Sequence, residues 1–366
     1  MLNNKIKGKI KYILGKGVIR IMYIIKNTER NNQTASEYET KSLLYLMSMR
    51  KDSSEIEVFI IDCFNDVSGS NQSLDKIWDL QSKGVASLNP KKIGCALITL
   101  YENYISDINF SDYILFMPKL KEGYLKDESL NVYDIDNFIT KKVNNIANGL
   151  FDEYKRRHEL EDVVKADIVC INEFLKYVTF VIAESEKSYY IKNIIDFKNK
   201  EIINREFLSE IFDEIRDKQT VLKNIAIEGI KINKPVEILQ YNKTMRKSKI
   251  EMLVIDRLVG TQIFDNKGIR PSFIDEIREM DEEDIKDLIQ ECNSNISRTL
   301  FNKNTKEGFW SLLENMIKII DNNRKLNLDG IYQLIPDKII NKVHTLDQMS
   351  IKYFISLIKD GVRNED

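Results

Sequence analysis

The sequence predicts an α/β N-terminal domain, built as helix, mixed sheet and helix, followed by a mostly α-helical C-terminal domain. Three observations predict it. Between residues 34 and 117, apolar runs of strand length alternate with amphipathic patterns of helical period. Residues 119–134 are polar and irregular, as expected of a linker. From residue 135 onward the helical rhythm dominates. The expected division is therefore 1–125 and 126–366, which a chain of 366 residues with 43% hydrophobic content can support.

Each element has its own signal. Residues 34–50 predict a helix with Leu43, Leu44, Leu46 and Met47 on its apolar face. Thr34 with Glu37, or Ser36 with Glu39, fits a capping box at its start. Val58 to Phe64 is a nearly continuous apolar run, suited to a strand buried on both faces. A Ser/Gly/Asn-rich turn is expected from Ser68 to Ser73. A second strand reads Ile77 to Lys83, with Asp79, Gln81 and Lys83 on one face and Trp78, Leu80 and Ser82 on the other. Asn89-Pro90 opens a helix, with Asn as cap and Pro at the first helical position. Asp112 to Met117 is a buried strand closed by Pro118. A further strand from Val18 to Ile25 leaves the strand count open. In the second half, helices are expected over 135–161, 205–218, 281–292, 306–322 and 346–359, with β-like pieces at 177–183, 225–232 and 252–255. The Phe309-Trp310 stripe at helical spacing predicts core.

Composition excludes several classes of function. Fifty-five Lys and Arg against 57 Asp and Glu leave a net charge of −2, so no global basic field points to nucleic acid or anionic membrane; a local basic cleft is still compatible with a nuclease. Four cysteines lie far apart without a CxxC pair, which argues for reduced thiols in a cytoplasm. The start lacks a signal peptide's hydrophobic region and no window approaches a membrane span, so a soluble cytoplasmic protein is expected. Gly15-Lys16-Gly17 lacks the Walker spacing. The two histidines, His158 and His344, lie in different regions on expected surface positions. Ser-His-Asp, Cys-His, HNH and His-rich zinc chemistry are thereby set aside, leaving carboxylates, amides and lysine.

Those residue types gather in one stretch: Asp66, then Gln81-Ser82-Lys83, with Glu39 from the preceding helix. A helix glutamate, a strand-end aspartate and Gln-x-Lys resemble the PD-(D/E)xK nucleases, in the branch with glutamine for the second acid. Tyr38-Glu39 opening a Leu-rich helix, Asn65-Asp66-Val67 and Trp78-Asp79-Leu80-Gln81-Ser82-Lys83 are similar to the Cap-type double-strand DNA endonuclease domain of bacterial anti-phage effectors, including the LmuA nuclease subunits of Lamassu systems. The resemblance covers about the first third of the chain and implies a restriction-endonuclease-like N-terminal domain. It implies catalytic Asp66, Gln81 and Lys83 around Mg²⁺, with Mn²⁺ as substitute. Glu39, Asp66 and Gln81 are the expected ligands, the Ser82 carbonyl a further one, and Asp79 lies behind them. Lys83 would orient or help deprotonate water and offset charge on the phosphate. Lys91 and Lys92 meet a DNA phosphate or are ordinary solvated lysines.

The same residues also have structural readings. Glu37 or Glu39 completes a cap, Asp66 forms a turn, and Gln81 and Lys83 line a wet strand face. The expected partners are double-stranded DNA, an SMC-like ATPase and a small accessory subunit, with homo-oligomerisation when active. Family members that sense cyclic oligonucleotides carry α/β C-terminal modules, so the helical 135–366 region favours the Lamassu-type arrangement. The alternative is a non-catalytic DNA-end-binding or scaffold subunit.

Overall fold

The structure, a computed structural model, describes residues 23–25, 33–85, 88–158, 168–264 and 268–361. Most of the expected 18–25 strand, Gly15-Lys16-Gly17 and residues 159–161 of the expected 135–161 helix lie outside these. In chain order the first elements are β1 (Tyr23–Ile24), α1 (Gln33–Ser48), β2 (Val58–Ile61), β3 (Val67–Ser70), β4 (Ile77–Ser82), α2 (Pro90–Ala96), α3 (Ile98–Ile105) and β5 (Asp112–Met117). There follow β6 (Val132–Tyr133), α4 (Thr140–Arg157), α5 (Ile168–Leu175), β7 (Val178–Ile182), α6 (Lys187–Ile194), α7 (Arg205–Lys223), β8 (Lys231–Ile232), β9 (Thr244–Arg246) and α8 (Lys247–Val259). The chain closes through α9 (Glu282–Phe301), α10 (Lys306–Asn322), α11 (Leu328–Leu334), α12 (Asp337–Ile340) and α13 (Gln348–Gly361).

Among the described residues, seven strands form one mixed sheet in the order β6-β7-β5-β4-β3-β2-β9. The β2-β3-β4 meander is antiparallel, and β5 returns parallel to β4, with Gln81 beside Leu115 and Ser82 beside Phe116. The parallel return needs a crossover, which α2 and α3 supply. Asn89 caps α2 as expected, its side chain accepting from Lys92 N at 2.9 Å. The single expected helix is split at Leu97 into α2 and α3.

Three sequence expectations are corrected here. The Ser68–Ser73 turn is largely strand: β3 spans Val67–Ser70 and all four residues are buried. Small residues suit this position because a Cβ on Gly69 would stand 3.0 Å from Ile56 Cγ2, beneath α1. The β-like piece at 252–255 is the buried side of α8; its apolar run reflects burial, which periodicity alone does not separate from a strand. The capping box at Ser36-Glu39 is absent, because α1 already begins at Gln33 and Ser36 lies inside it. Glu37 instead pairs with Lys41 at 2.8 Å.

The polar 119–134 stretch delivers the edge strand β6, and β7 and β9 also enter the sheet from beyond residue 125. One apolar core joins α1 and the sheet residues Trp78 and Leu80 to Phe309, Trp310 and Phe354 of the C-terminal helices. A second core on the opposite face joins Val58, Ile60 and Leu115 to Leu100, Ile146 and Phe174. The helices beyond 135 thus bury their apolar stripes partly on the sheet. Here α2 and α4 touch backbone to backbone: a Cβ on Gly94 would stand 2.1 Å from the Ile146 carbonyl oxygen.

All four cysteines are free thiols. His158 differs from its expected surface position: it stacks on Tyr154 at 4.2 Å and its Nε2 lies 2.9 Å from Glu102 Oε1. Among the described residues, no helix is long and apolar enough to cross a membrane.

Candidate functional site

At one end of the sheet, β2 finishes, β3 begins, β4 finishes and β9 begins, so three connections converge there. The turn between β2 and β3 is closed by the Asp62 N–H donating to the Asp66 carbonyl at 3.1 Å, with Asp62 at φ 51°. A non-glycine residue in that region costs about 1 kcal/mol or more, and sites of function are where such strain collects.

Asp66 sits at the mouth of this end. Its Oδ2 accepts from Gln81 Nε2 at 2.7 Å, from Ser82 N at 2.8 Å and from Ser82 Oγ at 2.8 Å. Burial raises the Asp66 pKa, against the opposing pull of the Lys83 ammonium and the Ser82 donors. Lys83 therefore stands within electrostatic reach of the Asp66 carboxylate. Gln81 is buried, and its Oε1 accepts from the Thr99 hydroxyl of α3 at 2.8 Å. The Ser82 carbonyl, expected as a ligand, accepts weakly from Gln81 Nε2 at 3.2 Å.

Asp79 lies deeper on the Gln81 face and is fully buried. It accepts from Asn103 Nδ2 at 2.7 Å, Asn65 Nδ2 at 3.1 Å and Ser68 Oγ at 3.3 Å. Burial pushes its pKa to about 7 against these donors. Its role is to hold Asn65, the neighbour of Asp66, and to tie α3 to the sheet. Because the folded pKa lies above the unfolded value of about 4, the stability Asp79 contributes is complete at low pH and is lost as pH rises through about 7. In Asp79→Asn, the amide oxygen can keep both Asn donors while its NH₂ meets the Ser68 hydroxyl. Thermal melts of this variant are expected to lose part of the fall in Tm between pH 5 and 8; an unchanged slope would assign that fall to other groups.

Glu39 is placed differently from its expected role. It is buried on α1, and its Oε1 takes the Lys223 ammonium at 2.6 Å. Burial, then the nearby Asp66 charge, pushes Glu39 to about 7 despite Lys223. Burial alone would lower Lys223, yet Glu39, Asp66 and Asp62 outweigh it and raise its pKa. Behind Lys223, the buried Lys243 donates to the Lys223 carbonyl at 2.9 Å and approaches Asp62 Oδ2 at 3.5 Å. Asp62 Oδ1 is buried with no hydrogen-bond partner among the described residues.

The structure thus brings Asp66, Gln81 and Ser82 into contact, keeps Lys83 electrostatically close, and commits Glu39 to Lys223. Lys91 is exposed and paired with Asp152 of α4 at 2.8 Å, and Lys92 is exposed beside it. Thr99, Asp62, Lys223 and Lys243 are the residues that sequence reasoning missed. Asp62 carried a signal, an acid ending an apolar run. The two lysines carried none, since burial of a distant ammonium leaves no local pattern.

A hard divalent cation suits the chemistry of Glu39, Asp66 and Gln81, all oxygen donors. The arrangement fits it less well. Among the described residues, no group of three His, Cys, Asp or Glu could hold a metal ion. Gln81 also turns its NH₂ toward Asp66. The Thr99 hydroxyl can donate or accept, so reversing that amide keeps the Thr99 bond and turns the oxygen toward Asp66. Glu39 has no such freedom while Lys223 is seated.

A cavity of about 1050 Å³ lies elsewhere, among α7, α8 and α10; its margin includes Leu222 and Thr244, the neighbours of Lys223 and Lys243.

No protein-family model matches the sequence, and no curated protein does. Among solved structures, the chain is similar to the Acinetobacter baumannii Cap4 SAVED/CARF-domain containing receptor with the cyclic trinucleotide 3′3′3′-cAAA, at 13% identity over 77% of this chain and 59% of that one, with TM-score 0.35. The same receptor with 2′3′3′-cAAA gives 12% identity over 75% and 60%, with TM-score 0.33. The chain spans about three-fifths of that receptor's length.

Proposed function

We propose that the Asp66 end of the sheet is the phosphodiester-cleaving site of a metal-dependent double-strand DNA endonuclease, the effector of a bacterial anti-phage defence complex. The observation that carries this reading is the contact of Asp66 with Gln81-Ser82, followed directly by Lys83, on a helix–three-strand–two-helix–strand core. We read that core as restriction-endonuclease-like. The defence role rests on the residue resemblance, and so do the expected partners, an SMC-like ATPase and a small accessory subunit that hold the nuclease inactive until it is released and oligomerises.

In this reading Asp66 and Gln81, its amide reversed, would hold Mg²⁺. The cation, when bound, polarises the phosphoryl oxygen and lowers the pKa of water. Lys83 orients the attacking water and balances charge on the phosphate, while Asp79 and Asn65 keep the Asp66 turn in place. Supercoiled plasmid with Mg²⁺ tests it. Wild type is expected to nick or linearise the plasmid, and Lys83→Ala to cleave about a hundredfold more slowly. Cleavage that survives Lys83→Ala unchanged sinks the assignment.

A second reading has one observation in its favour, the Glu39–Lys223 pair in place of a three-acid cluster. There the nuclease-like core is a DNA-end-binding scaffold. Retained end binding with no cleavage in any oligomeric state would select it.

A further inference from the structure

We propose that Lys223 is a tethered counter-ion standing where a divalent cation would engage Glu39, so that cation binding at the site is weakened while the end of α7 is docked against α1. This rests on the metal-dependent reading above and adds its regulation by the chain itself.

The geometry is that of a closed latch. The Lys223 ammonium lies 2.6 Å from Glu39 Oε1, with side chains only 9% and 5% exposed. An ammonium and a divalent cation compete for the same carboxylate oxygen, and like charges a few ångström apart repel strongly in a poorly solvated site. Lys223 is the last residue of α7, where a helix has spent its internal hydrogen bonds and opens most readily. Its carbonyl is held by Lys243, whose ammonium also faces Asp62. Asp62 Oδ1, buried and without a hydrogen-bond partner among the described residues, is an acceptor beside the latch. The docking of α7 on α1 is reinforced by Thr40 Oγ1 donating to Gln219 Oε1 at 2.8 Å and by Ser36 Oγ and Thr220 Oγ1 at 3.3 Å. One helix end thus occupies Glu39, and its departure would free the carboxylate for Asp66's side of the site.

The test is Mn²⁺ binding by the full chain at pH 8, followed through the electron paramagnetic resonance signal of free Mn²⁺. Lys223→Met and Lys223→Gln are expected to bind Mn²⁺ about tenfold or more tightly than wild type, the effect of removing one nearby like charge. Adding Glu39→Gln should abolish that gain. If wild type binds Mn²⁺ and folded Lys223 variants bind it no more tightly, the latch is wrong and the metal-dependent reading stands. If neither wild type nor the folded variants bind Mn²⁺, that reading itself fails and the latch with it. Hydrogen exchange on wild type keeps the question open to refutation should both variants unfold. Saturating Mn²⁺ should speed exchange in the last turn of α7, and unchanged exchange there overturns the latch.

Discussion

Asp66→Asn is expected to abolish Mg²⁺-dependent plasmid cleavage, by about a thousandfold or more, while leaving the fold intact. The two effects separate because Asp66 does two things. As a carboxylate it concentrates negative charge at the sheet end, where the Lys83 and Lys223 ammoniums respond to it. As an acceptor it takes three hydrogen bonds, from Gln81 Nε2, Ser82 N and Ser82 Oγ. An asparagine oxygen in the same place keeps the Ser82 donors and removes the charge. Burial already disfavours the ionised form, so stability should hold or rise slightly on substitution, as is common where a site keeps a charge for function. Cleavage rates beside a thermal melt check both halves. Activity within tenfold of wild type would remove Asp66 from the chemistry. A large fall in Tm would show that its carboxylate is chiefly structural.

The largest loss of stability is expected from Gly149→Leu. A Cβ on Gly149 would stand 2.2 Å from the Lys91 carbonyl oxygen, and Gly94 makes the reciprocal approach to Ile146. Neither contact is the yielding end of a side chain; each is helix backbone. Seating a side chain there forces α2 away from α4 and opens the core around Ile93, Ile146 and Leu150. Overpacking typically costs about 1–3 kcal/mol, and a leucine wedged against backbone belongs at or above the top of that range. Because α2 and α3 form the crossover that carries Thr99 to Gln81, the variant should also weaken cleavage in proportion to the folded fraction lost. Chemical denaturation reads the first effect directly. A midpoint equal to that of wild type would mean the two helices can separate without strain.

Much of the sheet was legible because its signals are local. Asp112–Met117 is a strand with the expected bounds, and α10 spans Lys306–Asn322 as its periodicity implied. Trp78 and Leu80 face α1 while Asp79 and Gln81 face α3, as strand alternation requires. The Asn89-Pro90 start held for the same reason, since a cap is a matter of three neighbouring residues. β3 was not legible, because Ser, Gly and Ser are turn residues by propensity and become a strand only where two neighbouring strands satisfy their backbone. β7 lies within the apolar piece read at 177–183, but its place beside β5 was not legible, nor were β6 and β9, because pairings as distant as Val58 with Arg246 have no sequence period to announce them.

By itself the sequence determined which residue types any chemistry must use, and it brought Asp66, Gln81 and Lys83 to notice through order along two neighbouring segments. Charges that act through space were decided only by the tertiary structure. Lys223 and Lys243 approach Glu39 and Asp62 from far along the chain, and burial there strengthens the pull between each ammonium and its carboxylate. Side-chain alternation is a property of a few residues, whereas Coulomb energy in a low-dielectric pocket depends on every charge that the fold brings within reach.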